Sequence, residues 1–343
     1  MATIELSACL PNVGRVRRRP ATGVLWPVGC MLGSVAVAAV LAGLLPIAFS
    51  IAIVFLFAGP HNWLEARYFM SRMPPRWGRL RSFFLLGIGG VLGLTGAMLT
   101  LPWAATAGGN RPETWSILIA TWNTALAVWI GGLAALRARQ NPRRDWPWLW
   151  PAVLVAVALA WIAPLSWSLA LVYLHPLLSL VFLDAEIGRR RPDLQAASRA
   201  CLAAIPLAVA ALAWSLAGAA DLPGRDVLTA QITAHAGAGI VPHVSTHFLV
   251  ATHTFLEMVH YAIWCLALPL LTGHVPWRLD QVPLARGSSR WRAAISGVLV
   301  TGGLIVMLFW VGFVVDYPLT RSVYFTVAML HVLAEIPFLV REL

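Results

Sequence analysis

Histidines and glutamates interrupt four long apolar stretches of this chain. The stretch 246–271 carries His253, Glu257 and His260, and at about 100° per residue these side chains share one helix face. The other three stretches contribute His61 with Glu65, His175, and His331 with Glu335. Ionisable groups at membrane depth are costly and mark functional sites. Because imidazoles and carboxylates bind Fe, Mn, Zn and Cu, the pattern predicts a metal site.

Their positions along the four helices predict that these groups lie at one depth. Counted from the proline or serine that opens each stretch, they lie 11 to 15 residues along it. A rise of about 1.5 Å per residue places them roughly 16–22 Å from one membrane surface. We therefore expect a single buried site near the bilayer midplane. Its predicted metal ligands are His61, Glu65, His175, His253, Glu257, His260, His331 and Glu335.

The number of ligand-type groups exceeds what one ion needs. Two metals, or one metal whose ligands are held by a second shell, would account for five histidines and three carboxylates. The predicted cofactor is non-haem iron, one or two ions, with zinc, copper or haem as alternatives. Glu257 and Tyr324, which lies one heptad before His331, are the candidate catalytic residues. Asn123 could line the same cavity.

Some ionisable residues have ordinary structural interpretations. Asp184 and Glu186 adjoin the arginines at 189–191, and we expect ion pairs between them at the membrane interface. The histidines in or beside the long loop are expected to be solvated or to cap helices: His235, His243 and His247.

Two of the predicted ligands also have structural alternatives. Glu65 could pair with Arg67 or Arg72 near one membrane surface instead of binding a metal. His175 could simply donate a hydrogen bond to a neighbouring helix, as isolated histidines in membrane helices often do. Neither alternative explains why groups on four helices coincide in depth.

Composition fixes the class of protein. The chain has 343 residues, of which 59% are hydrophobic and only 11% charged, so the fold class is an all-α, polytopic membrane protein. The net charge of +11 comes from arginines between spans, and we expect no nucleic-acid partner. The chain has no lysine, which excludes a Schiff-base opsin and a P-loop. Four cysteines without CxxC spacing predict no disulfide.

Ten membrane spans are predicted, and the arginines orient them. The spans are 24–44, 47–70, 83–104, 114–136, 148–162, 165–187, 197–218, 246–271, 292–315 and 320–339. This assignment places 22 of 25 arginines on one side, so both termini are expected in the cytoplasm, with the inner membrane of a bacterium as the location. A cytoplasmic segment at 1–23 precedes one transmembrane domain at 24–343, with an extramembrane loop at 219–245.

An internal repeat is also predicted. Residues 46–56 align without gaps on residues 164–174, an offset of 118 residues or four spans. Repeat units at about 24–136, 147–272 and 292–340 would give a 4 + 4 + 2 arrangement. Units with an even number of spans are parallel, and a site between such units is typical of repeat-built membrane proteins.

The functional hypothesis is a redox metalloenzyme of the oxygenase or oxidase type within the membrane. Its expected partners are membrane lipids and a lipophilic small-molecule substrate, such as an isoprenoid, a fatty acyl chain or a quinol. A hydrolytic zinc enzyme would use the same ligands, with one glutamate as general base. The alternatives are a haem-binding electron-transfer protein, and a transporter or proton relay built on the same His/Glu cluster.

Overall fold

The chain is all-helical in every part that the structure describes. The computed structural model describes residues 22–74, 76–141, 146–224, 226–272, 279, 282–286 and 288–342. No strand occurs in these ranges, so the predicted all-α class is confirmed. The predicted segment 1–23 lies almost entirely outside the described residues.

Most of the helices follow one another closely, and longer connections lie on either side of the helix Val227–His235. They are α1 (Thr22–Leu44), α2 (Pro46–Arg72), α3 (Arg81–Ala107), α4 (Pro112–Gln140), α5 (Leu149–Ile162), α6 (Pro164–Arg190), α7 (Pro192–Leu202), α8 (Ala204–Ser215), α9 (Val227–His235), α10 (Thr246–Ala262), α11 (Leu268–Thr272), α12 (Pro283–Arg286), α13 (Ser289–Val315) and α14 (Tyr317–Glu342). A π-helical turn, Ile263–Ala267, joins α10 to α11.

Nine segments of the described chain are long and apolar enough to cross a membrane. They correspond to nine of the ten predicted spans, and α7 with α8 forms one of them, Pro192–Ser215. The remaining predicted span, 148–162, corresponds to α5, which is apolar but only 14 residues long. The multi-pass character is therefore supported, and the count of ten stays a prediction.

Prolines begin several of these helices. Pro46 and Pro164 are the first residues of α2 and α6, where a missing N–H costs nothing and the fixed φ favours the helix. Both helices run for 27 residues from these prolines. A single non-helical residue, Leu45 or Ala163, separates each of them from the preceding helix, whereas the internal repeat stays a prediction.

Helix α10 lies at the centre of the bundle. It packs against α1, α2, α6, α8 and α9. In the apolar window of Thr246–Thr272, 56% of residues are buried, against at most 39% in any other described span. The π-helical turn just after α10 precedes Pro269, whose ring would clash with the carbonyl one α-turn back. The stretch 246–271, which carries His253, Glu257 and His260, is therefore also the most buried segment of the bundle.

The long loop folds back onto the bundle instead of extending from it. Its helix α9 is capped by Asp226, whose carboxylate accepts hydrogen bonds from the Thr229 backbone N–H (2.8 Å) and hydroxyl (2.7 Å). These bonds lower the pKa of Asp226. The Tyr173 hydroxyl lies within hydrogen-bonding distance of two carbonyls, Ala236 O at 3.0 Å and Leu249 O at 3.1 Å. The loop is thereby anchored to α6 and α10.

Candidate metal centre

Four imidazole rings from four helices meet inside the bundle. They belong to His61 of α2, His175 of α6, His260 of α10 and His331 of α14. The Nε2 atoms of His61 and His331 are 3.5 Å apart. Ring centroids lie 5.3 Å apart for His61 and His260, 4.9 Å for His175 and His260, and 5.6 Å for His175 and His331. The structure thus brings together predicted ligands that are as many as 270 residues apart in sequence.

Backbone carbonyls orient two of these rings. The Nδ1 atom of His61 lies 2.9 Å from Phe57 O, and that of His260 lies 3.4 Å from Pro176 O. Because a carbonyl can only accept, each Nδ1 carries the proton and each Nε2 keeps its lone pair. The Nε2 of His260 is buried and has no hydrogen-bond partner among the described residues. A histidine held in this way at one nitrogen is arranged to bind a metal through the other.

The distance between the two facing nitrogens matches a shared ion. Two imidazole nitrogens bound tetrahedrally to one ion at about 2.0–2.1 Å would be about 3.3–3.4 Å apart. His61 and His331 place theirs at 3.5 Å. The ligand atoms of His61, Glu65, His260 and His331 all lie within 4.8 Å of one another. The same holds for His175, His260 and Glu335, so His260 belongs to both sets.

Two buried carboxylates flank the four rings. Glu65 is 1% exposed and Glu335 is fully buried. Within the described parts of the chain, no hydrogen bond of normal geometry reaches Glu65 Oε2 or either Glu335 oxygen. The two carboxyls nevertheless lie beside each other, and Glu335 also lies beside the Trp264 indole and 3.5 Å from His175 Nδ1. The alternative pairing of Glu65 with Arg72 is wrong, because Arg72 instead contacts Glu186.

A second group of ligand-type residues lies towards the start of α10. His253 Nδ1 is 3.4 Å from Glu257 Oε2, and the ring of His235 lies 4.9 Å from that of His253. The structure therefore divides the single predicted site into this outer group (His235, His253, Glu257) and an inner cluster (His61, Glu65, His175, His260, His331, Glu335). His253 and His260 share a helix face, but seven residues separate them by about 10 Å along the axis, which is too far for one ion.

His235 is the site residue that sequence reasoning missed. The expectation that it is solvated is wrong, because its ring is half-buried between His253 and Phe325, 4.3 Å from the latter. No periodicity links a loop histidine to α10. The local signal is Gly237, whose φ of +101° lets the chain turn immediately after α9. His243 is exposed as expected, and His247 contacts Gly43 O at 2.9 Å.

The two groups differ in charge balance. Arg321 is only 5% exposed and lies close enough to Glu257 for the two charges to interact. Among the described residues, no arginine lies within ion-pair distance of Glu65 or Glu335. Unpaired buried charges are strongly unfavourable. The inner cluster is therefore the one that a divalent cation would complete.

One cavity of about 550 Å³ connects both groups. Besides the histidines, apolar side chains of α3, α4, α6 and α14 line it. Asn123 lines it as predicted, and so do the candidate catalytic residues Glu257 and Tyr324. The Tyr324 hydroxyl donates a hydrogen bond to Ala58 O at 3.3 Å. The imidazoles thus face a space that an apolar molecule could fill.

The predicted interfacial ion pairs occur with one change of partner. Glu186 contacts Arg72, Arg189 and Arg190, as its proximity to the arginine run suggests. Asp184 pairs with Arg199 of α7 through two hydrogen bonds of 2.8 Å, not with the run that follows it. These contacts fix the end of the bundle beyond the inner cluster.

Comparison of the chain with family models, with curated proteins and with solved structures finds no match in any of the three. The geometry of the cluster and the cavity therefore carries the functional assignment.

Proposed function

We propose that this chain is an integral membrane metalloprotein whose inner cluster binds one divalent cation. Three histidines whose ligand atoms lie within 4.8 Å of one another would bind the ion, His61, His260 and His331, with His175 beside His260. The observation that carries the proposal is the pair of buried carboxylates without a described arginine partner, Glu65 and Glu335, beside imidazole nitrogens that face one another. One divalent cation offsets two carboxylate charges and gives the nitrogen lone pairs a partner.

The ligand set is compatible with non-haem iron, which is the metal we propose. Imidazoles bind iron, zinc, copper and nickel, and no thiolate or thioether among the described residues belongs to the cluster. A haem fits less well, because its axial nitrogens must stand on opposite faces of a porphyrin. The 3.5 Å between His61 Nε2 and His331 Nε2 leaves no room for a macrocycle between them.

The reaction we propose is oxidation of a lipophilic small molecule by dioxygen. Iron in such a site supplies the means to reduce dioxygen. The apolar cavity would bind the substrate beside the imidazoles and exclude bulk water. Glu257 and Tyr324 line that cavity and are placed to exchange protons with a bound molecule.

The topology we propose has ten spans: the nine long apolar segments and the shorter helix α5. Both termini would face the cytoplasm, since 22 of 25 arginines fall on one side under this assignment. Parallel internal repeats and a location in a bacterial inner membrane complete the proposal. The common starts and equal lengths of α2 and α6 support the repeat.

Metal analysis of the purified chain tests the metal centre. We expect about one equivalent of iron per chain and an optical spectrum without a Soret band. His61→Ala and His331→Ala should lose the metal, whereas His243→Ala, an exposed histidine in the loop, should retain it. Equal metal content in all three variants would overturn the assignment, and so would a wild-type chain that binds none of iron, manganese, zinc or copper.

Oxygen uptake tests the reaction class separately. The iron-loaded chain, supplied with a membrane lipid extract and a reductant, should consume dioxygen faster than His331→Ala. A chain that binds metal but consumes no oxygen above that variant would refute the oxygenase or oxidase assignment. The hydrolytic alternative would then be tested with the same extract.

A further inference from the structure

The cavity is elongated along the helix axes. Its lining runs from Tyr324 to Val340 on α14, and from Ser168 to Leu178 on α6. At about 1.5 Å per residue, these stretches are about 24 Å and 15 Å long. A volume of about 550 Å³ spread over either length makes the cavity about two to four times longer than wide. The shape suits a linear chain better than a fused ring system.

The two ends of the cavity differ in polarity. The end at which α4 and α6 begin carries Asn123 and Ser168, together with the outer group. The opposite end is lined, in the described chain, by aliphatic side chains alone: Ile130, Leu178, Ile336, Leu339 and Val340. A molecule that fits this pattern has one polar end and an apolar tail.

Asn123 presents an unpaired acceptor at the polar end. The residue is 1% exposed, and its Nδ2 donates a hydrogen bond to Ser168 Oγ at 2.9 Å. Its Oδ1 has no partner among the described residues. A buried acceptor without a donor is unfavourable, so a bound donor would be stabilised there. No described arginine lines the cavity, and Glu257 lies at the same end. The site therefore favours a neutral hydroxyl group and disfavours a carboxylate.

The inner cluster lies part-way along the cavity. Ser168 and His175 are seven residues apart on one face of α6, which is about 10 Å along the axis. Val340 lies nine residues beyond His331 on α14, or about 14 Å further. A chain anchored at Asn123 would thus pass the imidazoles near its middle.

We propose that the cavity binds a linear lipid alcohol whose hydroxyl group donates a hydrogen bond to Asn123 Oδ1. The carbons about 10 Å from that hydroxyl then face the four histidines, and the tail occupies the aliphatic end. The chemical class is a long-chain or acyclic isoprenoid alcohol. This inference rests on the proposed function for the reaction that follows binding, but the binding itself does not require the metal.

Binding of matched probes tests the proposal. Retention of hexadecanol, hexadecane and hexadecanoate by the purified chain is measured in one detergent. We expect the alcohol to bind at least tenfold more tightly than the other two. Asn123→Leu should abolish the preference for alcohol over alkane, whereas Thr121→Val, on the exposed face of the same helix, should keep it. If Asn123→Leu does not fold, Asn123→Ala gives the same readout.

The outcomes separate this inference from the proposed function. Equal binding of alcohol and alkane by the wild type would overturn it, and so would a preference that survives in Asn123→Leu. The probes are also measured with the chelator-treated wild type, which holds no metal but should retain the preference for alcohol. Failure of the wild type to bind metal would refute the metal centre and leave the alcohol site intact.

Photocrosslinking tests the direction of the chain. One alcohol carries a diazirine at its middle and another at its methyl end. The first should label the segment of α14 around Val332 and Leu333, and the second the segment around Leu339 and Val340. The reverse pattern would overturn the proposed orientation.

Discussion

At the scale of single residues, the charge of Glu65 and Glu335 decides how the inner cluster behaves without a cation. Both carboxylates are buried, and neither has an arginine partner among the described residues. We expect Glu65→Gln and Glu335→Gln to raise the melting temperature of the chelator-treated protein, because each replaces a buried carboxyl, whose ionised form is strongly unfavourable there, with a neutral amide. The same variants should weaken metal binding about 10–100-fold, since carboxylates beside ligating histidines raise their basicity.

Thermal unfolding after chelation, together with metal titration, measures both effects. Glu113→Gln is the matched control, because Glu113 is an exposed carboxylate in the first turn of α4. It should change neither the melting temperature nor the metal affinity. A chelated Glu335→Gln variant that melts below the chelated wild type would contradict the charge argument.

At the scale of helices, the contact of α3 with α4 depends on one glycine. The Trp129 indole N–H donates a hydrogen bond to Leu86 O at 2.9 Å, and the ring lies against Gly90. A Cβ at Gly90 would lie 1.9 Å from Trp129 Nε1, so Gly90→Ala must displace the ring. We expect a loss of about 1–3 kcal/mol in the free energy of unfolding.

Gly89→Ala isolates that clash from the effect of adding a methyl group to the helix. Gly89 is adjacent in sequence and exposed, and a Cβ added there would meet no described atom within 4 Å, so its substitution should not destabilise the protein. Comparison of the two melting curves tests the packing. Equal stability of Gly89→Ala and Gly90→Ala would show that α3 and α4 do not meet as described.

The contact of α2 with α6 depends on a buried ion-pair network. Glu186 is fully buried and contacts Arg72 of α2 as well as Arg189 and Arg190 of its own helix. Glu186→Ala leaves Arg72 and Arg190 without this carboxylate, whereas Arg189 keeps Glu342 as a partner. Because these arginines are partly exposed to solvent, the substitution should cost about 1–3 kcal/mol. Asp184→Asn, which breaks the exposed pair with Arg199, should leave the melting temperature unchanged. The prediction fails if both variants melt at one temperature.

How far the sequence predicts this fold varies between elements. Hydropathy and the prolines at 46 and 164 predicted where α2 and α6 begin, because both signals are local. The break between α7 and α8 and the shortness of α5 were not predicted, since apolar composition alone does not fix where a helix ends. The angle of about 100° per residue correctly places His253 and His260 on one helix face. That angle says nothing about their separation along the helix axis, so it does not predict the division into two groups. The part played by His235 depends on a loop conformation that no periodicity encodes.

At the scale of the whole molecule, the arginine distribution predicts the orientation in the membrane. The ten-span assignment places three arginines on the side opposite the termini, Arg111, Arg225 and Arg321. Arg321 is buried near Glu257 and therefore adds little to the surface charge there. The difference in exposed arginine charge between the two sides is thus larger than the count of 22 against 3 suggests. Reporters fused after Glu342 should be active in the cytoplasm, and reporters inserted at Gly109 should be active outside it. Two reporters on the same side would contradict the topology.

Metal removal should loosen the bundle selectively. The ligand-type residues of the inner cluster come from α2, α6, α10 and α14, so a bound ion joins helices that are remote in sequence. Without it, the carboxyls of Glu65 and Glu335 lie beside each other where these helices meet, so they repel each other whenever both are ionised. Amide hydrogen exchange after chelation should therefore speed up in the middle of those four helices, while α5, which contributes no ligand, stays unchanged.

The double variant Glu65→Gln, Glu335→Gln tests whether the loosening after chelation comes from the two carboxylates. It keeps all four histidines but removes the repulsion, so chelation should change its exchange much less than that of the wild type. A uniform increase across all helices in both proteins would mean that the ion stabilises the fold only globally, by mass action. An increase confined to α2, α6, α10 and α14 in the wild type would show that the cation holds these helices together against the charge of their own carboxylates.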